Sequence, residues 1–285
     1  MIDNFKITMD DQENISNAVE IIKDARALVI TAGAGMGVDS GLPDFRGNKG
    51  FWKAYPMYKK LGINFMEAAN PKHFSQDPEF GWGFYGHRLT LYRKTNPHPG
   101  YLLLLDWVKN LKVDYFVVTS NVDGQFQKAG FDDDKIYEVH GSIHHLQCTQ
   151  PCNDQIWTNF DDVDVDLSEM RAREVPSCPF CSTVARPNIL MFSDHTWNSH
   201  RSDSQEKKFF NFLERYRKSF IAVIEIGAGT TVPTIRMMSE RISGQYRAKV
   251  IRINPREAKI TEPNISICSG ALDGLEEINS LLNAS

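Results

Sequence analysis

The chain has 285 residues, 41% of them apolar, and a formal net charge of −4. That length suits one large domain, or one core domain carrying a smaller one, with enough apolar residues for a substantial buried core. The weakly acidic balance predicts no strongly basic surface, so direct nucleic-acid binding is not expected. The start, Met1-Ile2-Asp3-Asn4-Phe5-Lys6, has no apolar run like a secretion signal, and the apolar stretch 220–224 meets Glu225 at once. A soluble cytoplasmic protein with no membrane span is the expectation.

In chain order, Asp10-x-x-Glu13 has the form of a capping box, and Ile15, Ala18, Val19 and Ile22 follow at helical spacing. Residues 27–31, Ala-Leu-Val-Ile-Thr, read as a short buried strand that runs straight into glycines. Similar strands are expected at 115–119, 221–226 and 249–253, with a short one at 136–139 and a weaker one at 265–268. Helical periodicity covers 101–110 and 206–218, and Leu272, Leu275, Ile278 and Leu282 mark a last helix. Buried strands separated by helices predict an α/β fold with a parallel sheet covered on both faces. Two regions break this rhythm. Residues 47–96 are rich in aromatics, Gly and Lys and look helical or irregular. Residues 146–184 hold two cysteine pairs and an acidic link at 161–166, which reads as a solvated face or a lure for a basic tail. Both regions read as insertions, so the smaller domain is expected to be made of two separate pieces.

Gly33-Ala34-Gly35 falls at the C-terminal end of the first strand. Small residues there let the backbone approach a pyrophosphate, and a following helix N-terminus adds amide donors. An ordinary tight turn would use the same residues. A hydride-transfer site asks for GxGxxG, a second strand and an acid about 20 residues on. Here Gly37 comes one place early, and 47–52, Gly-Asn-Lys-Gly-Phe-Trp, lacks strand-like alternation. Instead an acid, an aromatic ring and a guanidinium (Asp44, Phe45, Arg46) stand beside the glycines. Such groups suit holding a nucleotide in a bent, reactive shape.

Cys148-x3-Cys152 and Cys178-x2-Cys181 supply four thiols in two close pairs. In an intracellular chain this pattern suggests a tetrahedral Zn²⁺ site, closed and therefore structural. Reduced structural cysteines or a disulfide are the alternatives. Cys268 has no partner nearby and is expected in the core.

The stretch GAGMGVDSGLPDFRG at 33–47 resembles the opening motif of the sirtuin (Sir2) family of NAD-consuming enzymes. TSNVDG at 119–124, EVHGS at 138–142, and GAGTTV at 227–232 with Ile253-Asn254 follow in the family's order, so the likeness spans about residues 12–282. The resemblance implies a Rossmann-like parallel-sheet domain (1–46, 97–145 and 185–285) with a smaller domain inserted. The smaller domain would comprise a helical module at 47–96 and a zinc module at 146–184. It implies a protein-lysine deacylase that spends NAD as co-substrate, releases nicotinamide and acyl-ADP-ribose, and acts on an acylated lysine of a protein or peptide.

Residue by residue, the resemblance puts Gly33, Ala34, Gly35, Gly227, Ala228 and Gly229 against NAD, with Asn254 at the adenosine ribose. Ser120, Asn121, Val122 and Asp123 would form the nicotinamide site, Asp123 accepting from the carboxamide and Asn121 lying near the ribose and a water. Asp44, Phe45 and Arg46 would line the same pocket, Phe45 shielding the exposed sugar carbon. His140 would act as general base on a ribose hydroxyl. His144 and His145 read as structural. The match departs from the family at Gly37 (usually Ser), Ser120 (usually Gln) and Ser193-Asp194 (usually Gly-Glu). Residues 195–206 are unfamiliar, either a surface turn with a helix start or a different acyl or peptide pocket, while Ile189, Met191 and Phe192 would line an apolar tunnel. Competing functions are mono-ADP-ribosyl transfer, NAD hydrolysis and a non-enzymatic NAD sensor. The acyl chain, the protein target and the oligomeric state stay open.

Overall fold

Strand residues alternate between two faces, and that alternation explains the main layer. The computed structural model describes residues 9–44 and 47–284. Its strands are β1 (Ala27–Ala32), β2 (Asp114–Thr119), β3 (Ile136–Glu138), β4 (Gly141–Cys148), β5 (Ile156–Thr158), β6 (Val165–Asp166), β7 (Arg171–Ala172), β8 (Ala185–Ile189), β9 (Ile221–Ile226), β10 (Ala248–Ile253) and β11 (Ile265–Ile267). Its helices are α1 (Met9–Asp24), α2 (Gly47–Ala54), α3 (Pro56–Lys60), α4 (Phe65–Ala68), α5 (Lys72–Gln76), α6 (Pro78–Lys94), α7 (Pro99–Leu111), α8 (Gln125–Ala129), α9 (His200–Arg215), α10 (Thr234–Gln245) and α11 (Ala271–Ala284).

Six strands form one sheet in the order β11-β10-β9-β1-β2-β3, every pair parallel. Leu28, Ile30 and Ala32, with Ile224 and Ile226, face a core filled by Ile22 of α1, Trp107 of α7 and Leu275 of α11. Val29 and Val223 face the other way, against Phe209 of α9 and Ile242 of α10. Period-2 side chains thus bury both faces of the sheet, as continuous apolar strands require. No described helix is long and apolar enough to cross a membrane.

A second apolar cluster unites the helical insert with the segment after β3. Phe51, Tyr58, Trp82 and Phe84 pack with Ile143, Leu146, Ile189 and Met191. β4 and β8 pair antiparallel, within the sheet order β5-β4-β8. Their register jumps between Ser142↔Asn188 and Leu146↔Pro187, so residues 143–145 bulge out of the pairing. Pro187 has no N–H to give the ladder, which favours the break there.

Several expectations need correction. Among the described residues α1 already includes Met9, so Asp10 falls within the helix rather than before it. Cys268 is exposed, not core. α9 starts at His200, earlier than the periodicity alone indicates, because its first turns carry polar side chains that are nonetheless engaged. The acidic link behaves as expected: Asp162 and Asp164 are exposed, as a solvated face would be, while Asp162 pairs with Arg93 and Asp164 and Asp166 with Arg173.

The chain leaves β1 toward β2 and β3, then returns to β9 on the other side of β1. The loops after β1 and β9 therefore part at a topological switch point, where parallel sheets open a crevice. Before parting they touch backbone to backbone. Gly33 N donates to Ile226 O and Gly35 N to Gly227 O, both at 3.0 Å. A Cβ on Gly35 would lie 2.6 Å from Gly227 Cα, and Gly227 itself sits at φ +62°. Only glycine permits this approach. Gly35→Ala is expected to lower unfolding free energy by more than about 2 kcal/mol in urea titrations. Unchanged stability would show that the loops do not meet in this way.

Candidate active site

Each candidate side chain is fixed by a neighbouring loop. After Gly33 the chain coils into a short 3-10 helix, Ala34–Ser40. His98 braces it, donating from Nε2 to Met36 O at 2.9 Å while its own N–H meets Ser40 Oγ at 2.9 Å. After β2, Thr119 Oγ1 donates to Ala32 O (3.1 Å) and accepts from Asn121 N (3.0 Å). Asn121 is buried, and its Nδ2 donates to Gly33 O at 3.0 Å. The 119–124 loop is thereby stitched to the glycine loop.

The bulge in β4 supports the same loop from the other side. Ile143 N donates to Val122 O at 3.0 Å, and His144 Nε2 donates to Asp123 O at 2.9 Å. His144 is thus structural, as expected, but it holds a candidate site residue. Asp123 is buried, and its Oδ1 accepts from Gln125 N at 2.9 Å. Burial pushes its carboxyl up to about 6, the charge of Glu138 adds to the rise, and the Gln125 N–H and the Arg88 guanidinium oppose it.

His140 follows β3 in a turn. Val139 N donates to Thr119 O and Leu190 N to His140 O, both at 2.9 Å. Gly141 stands at φ +77°, where a Cβ would come within 2.0 Å of Asn188 O, so the turn requires glycine. Burial lowers the imidazole below its usual range, partly offset by a hydrogen bond to the Ser120 backbone. The ring is therefore neutral near pH 7, the form that can take up a proton.

At the far end, Ala228 O accepts from Arg236 Nε (3.1 Å) and Asn254 Nδ2 (2.9 Å). Asn254 is fully buried, and its Oδ1 accepts from Arg256 N and Glu257 N, both at 3.0 Å. Its side chain braces the turn after β10 against the 227–229 loop. Gly33, Ala34, Gly35, Ser120, Asn121, Val122, Asp123, His140, Gly227, Ala228 and Gly229 thus gather at the carboxyl ends of β1, β2, β3 and β9. Asp44 is half-buried at the end of the first described stretch, and Phe45 and Arg46 lie outside the described residues.

The four paired cysteines converge, their sulfurs all within 4.8 Å of one another. Cys148 Sγ lies 3.6 Å from Cys181 Sγ, and Cys152 Sγ 3.7 Å from Cys178 Sγ. These separations are far from a disulfide's ~2 Å. Sulfurs about 2.3 Å from a tetrahedral Zn²⁺ would stand roughly 3.8 Å apart, so the set fits that ion. All four ligands would be cysteine thiolates, leaving no open position, so such a site would be structural. Removing metal with a chelator is expected to unfold the 146–184 segment first, seen as loss of amide-exchange protection there. Equal protection in metal-free protein would contradict the zinc assignment.

The 193–206 segment hides what sequence reasoning missed. Asp194 is fully buried and pairs through both oxygens with Arg186, at 2.7 and 3.0 Å. It also accepts from Met191 N and Thr196 N, closing the turn that follows β8. Phe192 N donates to Ala69 O at 3.1 Å, and its ring meets Phe65 edge-on. Arg186, eight residues before a carboxylate that follows an apolar run, was the available signal. Arg236 and the first turns of α9 gave none, because their partners lie far away in sequence.

Linkage gives the Asp123 carboxyl a defined stability effect. Its folded pKa is raised to about 6 from 3.8, so carrying the charge costs stability that is absent below pH ~4 and complete above about 6. Asp123→Asn is expected to stabilise the fold by as much as about 3 kcal/mol at pH 7.5 and by nothing at pH 3.5. A gain equal at both pH values would contradict the buried charge.

A family model described as "Sir2 family" matches residues 33–215. An NAD-dependent protein deacylase of Thermococcus kodakarensis is 31% identical over 180 residues, which cover 63% of this chain and 65% of that protein. The chain thus spans just under two thirds of that relative's length. An NAD-dependent protein deacylase of Aquifex aeolicus is 26% identical over 235 residues, 82% of this chain and 86% of its own. Among solved structures, a Sir2 homolog–NAD complex superposes with a TM-score of 0.69 at 22% identity, covering 94% of both chains, and so shares the fold.

Proposed function

We propose, for a chain that belongs to the Sir2 family, that it is an NAD-dependent protein-lysine deacylase with its site at the carboxyl ends of β1, β2, β3 and β9. The observation that carries this reading is the joining of three loops. Asn121 ties the 119–124 loop to Gly33, and Val139 N, just before His140, donates to Thr119 O. The relatives from Thermococcus kodakarensis and Aquifex aeolicus, both called NAD-dependent protein deacylases, support it.

In this reading the bond between nicotinamide and ribose breaks and nicotinamide leaves. The acyl oxygen of an acylated lysine takes its place on the sugar carbon. After water is added, the products are free lysine and acyl-ADP-ribose. Asp123 accepts from the carboxamide, holding the leaving group out of conjugation, and Asn121 orders the ribose and a water. His140, neutral near pH 7, takes the proton of a ribose hydroxyl as that oxygen attacks the acyl carbon. The glycine loops let the pyrophosphate lie close to backbone, and Asp44 lines the same pocket. The acyl group enters between the helical insert and the 189–192 segment at the end of β8, where Ile189 and Met191 are buried. The four-cysteine site holds Zn²⁺ that keeps the small module folded and takes no part in the reaction. Thiols kept at metal-binding distance suit a reducing compartment, which supports a cytoplasmic location.

Incubation with NAD and an acetyl-lysine peptide, followed by mass spectrometry, tests the reading. Acyl-ADP-ribose together with free lysine peptide is expected. ADP-ribose attached to protein would mean transfer, peptide-independent ADP-ribose would mean hydrolysis, and unspent NAD would mean a sensor. His140→Ala is expected to lower turnover at least about 100-fold while the fold persists. Normal turnover in that variant would refute the assigned base.

A further inference from the structure

β3 is the edge strand of the parallel sheet. Because Val139 N is bonded back to Thr119 O, the N–H and C=O of Glu138 point outward, away from β2. An edge strand leaves such groups open to water or to another chain. Here α9 covers them with side chains in place of a backbone ladder. Gln205 Oε1 accepts from Glu138 N at 3.1 Å, and Ser202 Oγ donates to Glu138 O at 2.9 Å. Arg201 Nη2 meets the Glu138 carboxylate at 2.5 Å. Positions 201, 202 and 205 share one helical face, since residues three and four apart are neighbours.

This arrangement is an indifferent way to gain stability. Glu138 is 1% exposed, so its charge has been taken from water. The pair is single-pronged, for Glu138 Oε1 and Arg201 Nη1 are buried and have no partner. A buried ion pair with unsatisfied atoms is often bettered by apolar residues of the same volume. Its merit is directional: three bonds from one helix fix one residue of an edge strand in position, and the candidate base follows two residues later. The 138–140 stretch is then held at both ends, by α9 at Glu138 and by Leu190 N at His140 O. The ion pair also faces the pocket electrostatically, because the Glu138 charge raises the Asp123 carboxyl.

We propose that Arg201, Ser202 and Gln205 are positioning residues for His140, fixing Glu138 at the sheet edge and thereby setting where the imidazole sits at the end of β3. The inference rests on the reading of His140 as the base, and its test separates the two.

The zinc-loaded full chain is compared with Arg201→Met, Arg201→Lys and the Ser202→Ala/Gln205→Leu double variant. One readout is the ¹H–¹⁵N spectrum of the His140 ring, assigned by its loss in His140→Ala. The other is steady-state turnover of NAD with acetyl-lysine peptide. In Arg201→Met and in the double variant the ring signals should shift and broaden, and kcat should fall about tenfold or more, with KM for NAD within about twofold of the wild type. Arg201→Lys should keep the ring signals and most of kcat. Ring signals unmoved in Arg201→Met and in the double variant would overturn the proposal, even if both melt at lower temperature, because α9 would then be merely structural. If the wild-type chain spends no NAD, the deacylase reading fails. The ring spectra still decide the clamp, moved signals supporting it and unmoved ones sinking it. Should Arg201→Met not fold, the double variant reads out the same contact through Ser202 and Gln205.

Discussion

The molecule depends on two loops meeting with no side chains between them. Gly33 and Gly35 lie so close to Gly227 and Ala228 that a single methyl group on either glycine would collide with backbone. The contact sits where the sheet's order reverses, so it draws together loops from opposite directions at the mouth of the crevice. Asn121 then bonds to Gly33 O, and Val139 N, beside His140, to Thr119 O. Each candidate group is therefore referred, in one or two steps, to the same glycine contact. The glycines were read as letting a pyrophosphate approach. They also let one loop approach another, and the second demand is visible in the protein alone.

A second theme is the use of buried polar groups to set direction. Asp194 with Arg186 shapes the turn after β8, Asn254 with Arg236 shapes the loop after β9, and Glu138 with α9 shapes the strand leading to His140. Such contacts are indifferent as sources of net stability, because desolvation opposes them. They do specify geometry, and they cluster beside the site. Asp123 is the extreme case: it carries its charge at a cost near neutral pH. A carboxylate kept so is well suited to accept a hydrogen bond from a ligand amide.

Much of this was legible in the sequence where the signal is local. Short, nearly continuous apolar runs announced β1, β2, β9 and β10, and the cysteine spacing announced a four-sulfur cluster that the fold closes. What failed was long-range or ambiguous. The Asp10 cap was misplaced because polar residues can stand inside an exposed helix as easily as at its start. Cys268 was expected inside because a lone thiol is commonly apolar in behaviour, yet it falls just past the end of β11 and is exposed. The 193–206 segment reads as a surface turn with a helix start or as a different acyl or peptide pocket; a helix does start at His200, but the burial of the Asp194 side chain against Arg186 was not foreseen. The bulge that aims His144 at Asp123 depends on Pro187 more than forty residues away, and no local pattern foretells it. Phe45 and Arg46, although prominent in the motif, lie outside the described residues.

The central claim is that a dinucleotide is bound at the switch point and broken at its nicotinamide link. A crystal structure with a non-cleavable NAD analogue and an acylated-lysine peptide tests this most directly. The account predicts the carboxamide against Asp123 and the nicotinamide-bearing sugar carbon between Asn121 and the acyl oxygen, with a ribose hydroxyl facing the His140 ring. A nicotinamide ring lying outside this crevice, or a ribose remote from His140, would contradict it.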